Sequence, residues 1–168
     1  LQQLAGCLAQ VSLDEPLIAA LNGFGPRYRQ ELAGALLNRL GLQRGEEARE
    51  VAFANATFRA IAQGGERLRW EPFFFDWFCG DEARALASAR GDIYGGEDFA
   101  EFRELLKGFA PERPERLADP YFASPEPQEL LIDEIEAIWA DIAERDDWSA
   151  FHAKLAAIEA ARTAWALS

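Results

Sequence analysis

Apolar residues recur three and four positions apart along almost the whole chain, and no stretch alternates between apolar and polar residues. This spacing is typical of amphipathic helices that turn one side towards a shared core. We therefore predict an all-α fold with no sheet, an irregular bundle of about seven or eight helices that packs as a single domain over residues 1–168.

Glycine, proline and capping residues mark the expected ends of the first helices. A first helix covers residues 1–11, and residues 12–15, beginning with Ser12, match a capping box ahead of Pro16, a residue suited to a first helical turn. A short helix over residues 17–24 follows. Gly25-Pro26 is expected to end it, because proline removes a helical hydrogen bond.

The two helices after Pro26 have clearer signals. The apolar stripe of the first consists of Tyr28, Leu32, Leu36 and Leu40. Gly41 supplies the left-handed residue that ends this helix, and Leu42 is placed to fold back on the helix end. The second helix covers residues 46–63 and stops at Gly64-Gly65.

Residues 70–80 are dense in aromatic side chains. The aromatic members are Trp70, Phe73, Phe74, Phe75, Trp77 and Phe78. Aromatic rings remove a large apolar area from water when they are buried, so we expect this cluster to form core. The rival interpretation is a docking surface for a domain that precedes this sequence.

Shorter helices and a proline-rich connector follow. Asp81 begins a helix that ends near residue 89, and Glu97 or Asp98 begins another. The apolar face of this second helix consists of Phe99, Phe102, Leu106 and Phe109. Five prolines between residues 110 and 127 predict a connector that runs over the surface or clamps it.

Two helices are expected to close the chain. Ser124 caps the first, with Pro125 in its opening turn, and Asp146 or Asp147 caps the second. The inward residues of the first helix are Leu131, Ile135, Ile138 or Trp139, and Ile142. Its outward acids are Asp133, Glu134, Glu136, Asp141 and Glu144. In the last helix, the residues spaced three and four apart are Trp148, Phe151, Leu155, Ile158, Arg162 and Trp165. The linker between the two helices is short, which predicts that they pack antiparallel.

The charge of the chain excludes two classes of partner. Acidic residues number 29 against 17 basic ones, which gives a net charge of -12. Phosphate backbones and anionic lipid surfaces repel such a chain, so we expect no nucleic acid and no membrane partner. No apolar run approaches the ~20 residues of a membrane span, and no signal peptide is recognisable. Together with the low cysteine content, this predicts a cytoplasmic protein.

Cys7 and Cys79 are the only cysteines in the sequence. Their wide separation forms no CxxC pair and no metal-binding spacing. We interpret each as a buried structural cysteine, and a disulfide between the two stays an unsupported alternative.

No group of residues forms a recognisable catalytic site. His152 is the only histidine, and Ser149, three residues before it in the same helix, cannot pair with it as a nucleophile. Asp76 lies among aromatic residues, where a helix cap or an arginine partner is the expected explanation. The acids between residues 133 and 147 fall at helical spacing and predict a solvated face. We assign no catalytic, cofactor-binding or metal residue.

The sequence contains no methionine and starts at Leu1, so we expect it to be part of a longer protein. Several segments, in order, resemble the C-terminal part of the selenoprotein O family of protein adenylyltransferases. They are Leu4-Ala5, residues 27–42 (RYRQELAGALLNRLGL), Phe74-Phe75-Asp76-Trp77, Asp119-Pro120-Tyr121-Phe122, residues 130–139 (LLIDEIEAIW) and residues 144–148 (ERDDW).

The resemblance implies a parent protein with a kinase-like fold that transfers AMP from ATP to Ser, Thr or Tyr side chains of protein substrates, with Mg²⁺ or Mn²⁺. The lysine, acidic residue and Asn/Asp metal ligands of the family lie upstream of the matched region, so none is assigned here. The redox-active cysteine or selenocysteine that ends some members is absent, because this sequence ends Trp165-Ala166-Leu167-Ser168.

Two hypotheses follow. In the first, these helices brace the upstream catalytic domain of the same chain and hold no cofactor themselves. In the second, the chain is a free-standing helical protein-interaction domain without enzymatic activity.

Overall fold

The computed structural model describes residues 2–11 and 14–166. Within these ranges the chain forms nine α-helices and no β-strand, so the all-α prediction is confirmed. The helices are α1 (Gln2–Leu8), α2 (Asp14–Arg39), α3 (Glu47–Gly64), α4 (Trp70–Asp76), α5 (Glu82–Ala87), α6 (Gly91–Tyr94), α7 (Ala100–Leu106), α8 (Ile132–Arg145) and α9 (Ser149–Trp165). Short 3-10 turns cover Gly65–Arg67, Phe78–Gly80, Glu97–Phe99, Pro114–Ala118 and Pro120–Ala123.

The predicted helix break at Gly25-Pro26 is wrong, because α2 continues through both residues. Proline in a helix leaves the carbonyl four residues earlier without its donor. Here that residue is Asn22, which is exposed, so water can satisfy the carbonyl. Pro16 lies in the first turn of α2, as expected. Ser12 and Leu13 of the predicted capping box lie outside the described residues.

The end of α2 follows the sequence prediction closely. Gly41 has a φ of 65°, and its N–H donates to the carbonyl of Asn38. The N–H of Leu42 reaches back to the carbonyl of Leu37, and the Leu42 side chain is buried. These two bonds form a Schellman motif, which satisfies carbonyl groups that the helix end would otherwise leave unpaired.

Helix α3 lies against α2 and supplies the centre of the main core. Glu46 caps its start by accepting from the N–H groups of Ala48 and Arg49, and Gly65 ends it with a φ of 57°. The expected boundaries are therefore confirmed. Its buried side includes Phe53, whose ring contacts the rings of Phe102 and Phe109 from the region of α7.

The aromatic segment after residue 70 forms core, so the rival interpretation as a docking surface is not supported for most of it. The fully or nearly fully buried members are Phe73, Phe75, Trp77 and Phe78. Trp70 is partly exposed and stacks on Phe74. The segment divides between two clusters. Phe73 and Trp77 join the main core, and Phe75 and Phe78 join a smaller second core with Phe122 and Trp165.

The middle helices are shorter than expected. Asp81 caps α5 by accepting from the N–H of Arg84, as predicted, but α5 ends at Ala87. Helix α6 follows, which the apolar pattern does not reveal because it is a single turn. The next helical stretch begins at Glu97 as a 3-10 turn and continues as α7, with Phe99, Phe102 and Leu106 buried.

The prediction that Ser124 caps α8 is wrong, because α8 begins only at Ile132. The hydroxyl of Ser124 donates to the carbonyl of Glu126 instead. Pro127 disfavours a helical conformation at the residue before it, which keeps this stretch irregular. The connector does clamp the body, since Phe122 is buried in the second core.

The prediction that the apolar side of α8 faces inward is confirmed only in part, because Ile138 and Ile142 are half-buried whereas Leu131, Ile135 and Trp139 are exposed. None of its residues is buried, and Trp139 is 65 % exposed.

Helix α9 lies against α8. Lys154 of α9 pairs with Glu134 and donates to the carbonyl of Glu129. The N-cap position of α9 is Trp148 rather than the expected Asp146 or Asp147, although Asp147 accepts from the N–H of Ser149 in the first turn.

Candidate functional site

Asp76 is the buried acid that the sequence singled out, and it has the arginine partner that we expected. Its carboxylate accepts from Nε of Arg90 at 2.6 Å, from Nη2 of Arg90 at 3.2 Å and from the hydroxyl of Tyr94 at 2.8 Å. Only 2 % of Asp76 is exposed. A buried carboxylate with a two-pronged arginine contact and a hydroxyl donor is held as a charged structural group.

The electrostatics of this network keep both partners in their ordinary protonation states. Burial raises the pKa of Tyr94, and the negative charge of Asp76 raises it further, so the hydroxyl stays protonated and donates. Burial opposes the charged form of Arg90, but the hydrogen bonds and charge of Asp76 outweigh burial and raise the pKa of Arg90. Neither the Tyr94 hydroxyl nor the Arg90 guanidinium therefore loses a proton near neutral pH, so neither can serve as a general base.

Two arginines connect this network to the proline-rich connector. Arg90 also donates through Nη1 to both carboxylate oxygens of Glu126, at 3.0 Å each. Arg84 donates to the carbonyls of Phe75, Asp76 and Phe122, and its guanidinium lies over the Phe75 ring at 4.4 Å. Burial lowers the pKa of Arg84, which is the expected effect of a desolvated cation. These contacts fix the connector in place.

A second buried acid, Glu50, has no signature in the sequence. Its carboxylate accepts from Nε and Nη2 of Arg44 at 2.8 and 2.6 Å, and from the N–H of Gly45 at 2.7 Å. The hydrogen bond from Arg44 lowers the pKa of Glu50, against the opposing effect of burial. The Glu50 carboxylate therefore holds the loop before α3 against that helix. Both of its oxygens accept hydrogen bonds from protein donors.

The remaining sequence candidates do not converge. His152 and Ser149 are exposed on α9, and the imidazole contacts only the neighbouring Phe151 ring among the aromatic contacts of the described residues. Cys79 is buried, as predicted, and burial raises the pKa of its thiol. Cys7 is exposed, so its predicted burial is wrong, and both thiols are free.

Among residues 2–11 and 14–166, no three His, Cys, Asp or Glu side chains are grouped so that they could hold a metal ion. Of the predicted outward acids of α8, Asp141 is half-buried, and the others are exposed as the helical spacing predicted, namely Asp133, Glu134, Glu136 and Glu144. None of the described helices combines the length and apolar composition that crossing a lipid bilayer requires.

One cleft has the size of a small-molecule site, with a volume of about 430 Å³. Its walls include Tyr121, Leu130, Ile158 and Trp165. Arg39 lies at its side, stacked on Trp165 and paired with Glu71 at 2.5 Å. Nη1 of Arg39 is buried without an acceptor in the described part of the chain. The cleft thus has apolar walls and charged groups that are largely engaged with one another.

Two exposed apolar surfaces stand out more clearly than the cleft. The first, which we call the arm, comprises residues 2–11, which are α1 and the turn after it, and residues 14–32 of α2. No residue from 15 to 32 is buried. The exposed apolar residues of the arm are Leu4, Leu8, Val11, Ile18, Phe24 and Tyr28. The second, which we call the α8 face, consists of Leu130, Leu131, Ile132, Ile135 and Trp139.

Comparison of this chain with protein-family models, with curated proteins and with solved structures finds no match in any of the three. The resemblance to the selenoprotein O family therefore stays a prediction. The site geometry is that of two charged networks that hold the fold together and two apolar surfaces that are open to a partner.

Proposed function

We propose that this chain is the helical C-terminal segment of a protein adenylyltransferase of the selenoprotein O type, and that it braces the catalytic lobe of that protein. The parent protein would transfer AMP from ATP to Ser, Thr or Tyr side chains of its protein substrates in the cytoplasm. The observation that supports the bracing role is the arm, whose apolar side chains extend beyond the core.

The physical reason for a partner at the arm is the weakness of an unsupported helix. A helix gains most of its stability in proteins from packing an apolar face rather than from its intrinsic propensity. Phe24 and Tyr28 stack on each other with ring centroids 5.6 Å apart, yet both stay largely exposed. Exposed aromatic side chains of this kind are often found at protein–protein contacts.

The chemistry belongs to the parent protein in this proposal. Nucleotidyl transfer requires a positioned triphosphate and divalent metal ions that neutralise the developing charge. Groups upstream of this chain would hold ATP with Mg²⁺ or Mn²⁺. The arm would fix the orientation of that lobe, and the buried Asp76 and Glu50 networks would keep the brace rigid.

The alternative is a free-standing helical interaction domain. The α8 face favours this alternative because it is a second exposed apolar surface, separate from the arm, that could bind another protein. In that case both surfaces would bind other proteins, and no nucleotide chemistry would be encoded in the same gene.

The experiment compares the complete product of the gene with the 168-residue chain. Each is incubated with Mg²⁺ or Mn²⁺ and ATP labelled at the α-phosphate, and labelled AMP on protein is measured. We expect transfer by the complete product and none by the chain alone, which should also show no metal-dependent ATP binding by calorimetry.

A variant in the arm and a matched variant outside it show whether the arm itself supports AMP transfer. Phe24→Asp should lower AMP transfer by the complete product about tenfold, as loss of a central contact does, whereas Leu86→Asp, an exposed site on α5, should leave it unchanged. A complete gene product without an ATP-binding region and without transfer activity would overturn the proposal in favour of the interaction domain.

A further inference from the structure

The α8 face combines exposed apolar residues with an unusual concentration of negative charge. Between Glu126 and Asp147 the sequence holds nine acidic residues and one arginine. The net charge of the whole chain is -12, so most of it is concentrated in this segment.

Several of these acids are already paired with cations. Glu129 pairs with Arg69 at 2.6 Å, and Glu126 pairs with Arg90 at 3.0 Å. Within α8, Glu134 pairs with Lys154 and Asp141 pairs with Arg145. These pairs do not neutralise the segment, because further acids have no cation within ion-pair distance among the described residues.

The unpaired acids flank the apolar residues along the same helix. Asp133 and Glu136 form no ion pair in the described part of the chain, and both are exposed. Asp146 and Asp147 follow the end of α8, where Asp146 accepts from the Trp148 indole and Asp147 accepts from the Ser149 N–H. An occupant of the α8 face would therefore meet Asp133 and Glu136, two exposed carboxylates that have no ion-pair partner among the described residues.

We propose that the α8 face binds a basic amphipathic helix of another protein segment, with leucine-like side chains on Ile135 and Trp139 and lysine or arginine side chains opposite Asp133 and Glu136. Apolar anchors from one helix and flanking charges of opposite sign are the usual basis of helix-in-groove recognition. Charge complementarity adds to the association rate and excludes acidic partners.

The same charges argue against the other occupants. Two copies of this chain that met through their α8 faces would bring two strongly acidic segments together, which costs free energy. An anionic bilayer would be repelled for the same reason. The arm is not part of the α8 face, so this proposal does not rest on the proposed function and could hold if that function failed.

The test uses two synthetic peptides that have leucine at the same positions and carry opposite charges. The basic peptide, LKKLLKLLKKLLKL, forms an amphipathic helix, and its partner replaces every lysine with glutamate. Fluorescein-labelled peptide is titrated with the 168-residue chain and followed by anisotropy at physiological salt. We expect the basic peptide to bind with a dissociation constant of roughly micromolar size and the acidic peptide not to bind.

Matched variants locate the site. Trp139→Ala should weaken binding about tenfold, whereas Leu86→Ala, an exposed apolar residue on α5, should leave it unchanged. Asp133→Asn with Glu136→Gln should weaken binding and reduce its dependence on salt. Glu66→Gln with Glu97→Gln removes the same net charge at two other exposed acids and should have little effect.

Three results would overturn the proposal. The first is equal weakening by the two charge variants, which would mean general attraction to an acidic protein. The second is equal binding of both peptides. The third is self-association of the chain that Trp139→Ala abolishes, which would make a second copy the occupant. Because the substituted side chains are exposed, circular dichroism should show an unchanged helix content in every variant.

Discussion

The guanidinium carbon of Arg39 lies 3.8 Å from the ring centroid of Trp165, so the last residue of α2 is stacked on the last residue of α9. The Trp165 ring also packs edge-on against Phe78 and Phe122 in the second core. This aromatic side chain, together with the hydrogen bonds from Arg116 to the carbonyls of Thr163 and Ala164, therefore attaches α9 to the body of the fold.

Trp165→Ala should destabilise the chain by about 3–5 kcal/mol, the usual cost of removing a large buried aromatic side chain. Urea unfolding measures the change. Trp139→Ala, which removes the same side chain at an exposed position, should change the free energy of unfolding by no more than about 0.5 kcal/mol. Equal losses in the two variants would show that Trp165 does not anchor α9.

Asp76→Ala should destabilise the chain by about 3–5 kcal/mol, because it leaves the buried Arg90 without its main counter-charge. Tyr94→Phe removes one donor and keeps the ion pair, so its cost should be about 1.5–3 kcal/mol. Thermal and urea unfolding report both. Asp92→Ala breaks the exposed pair with Arg67, and a loss as large as that of Asp76→Ala would contradict the structural role given to the buried network.

The stability of the chain should depend on pH through Glu50. Its pKa in the folded state is lower than the ordinary value of 4.5, which holds in the unfolded chain. The stabilisation is therefore complete above that ordinary value and is lost as the pH falls through the folded-state pKa. The free energy of unfolding should fall on acidification, and Glu50→Gln should lose this part of the pH dependence.

Urea unfolding of both proteins between about pH 3 and pH 7 checks the Glu50 prediction. At neutral pH the Gln variant should be less stable by about 1–3 kcal/mol, because Arg44 and Gly45 lose a charged acceptor. The difference should shrink in acid. Two parallel pH profiles would show that another group is responsible for the acid sensitivity.

Two glycines, Gly41 just after α2 and Gly23 within it, should respond to alanine in opposite directions. At Gly41, with a φ of 65°, an added Cβ would lie 2.7 Å from the Phe78 ring, so Gly41→Ala should destabilise the fold by about 1–3 kcal/mol. At Gly23, within α2, nothing lies within 4 Å, and Gly23→Ala should stabilise it by about 0.4–1 kcal/mol. Melting temperatures that shift in the same direction would refute this contrast.

Local features were predictable from the sequence because they depend on neighbours in the chain. Gly41 with Leu42, and Gly65 after α3, set their helix ends through backbone conformation alone. The burial of Phe73 and Trp77 followed from their size and apolar character. In each case the determinant lies within a few residues of its effect.

Long-range features were not predictable, because no spacing rule encodes them. The partner of Asp76 could be expected to be an arginine, but nothing in the sequence selects Arg90, and the pairing of Arg39 with Trp165 has no local signal. Periodicity identified the apolar side of α8 correctly, yet it could not tell whether another helix covers Trp139. Pro26 was misleading because solvent can satisfy the carbonyl that it leaves unpaired.

The proposed brace requires the arm to pack on a catalytic lobe of the same protein. Hydrogen–deuterium exchange of residues 17–32, measured in the 168-residue chain and in the complete gene product, detects that packing, with the buried amides of α3 as internal reference. We predict that the arm exchanges at least about tenfold more slowly in the complete product. Identical exchange of the arm in the two proteins would contradict the account.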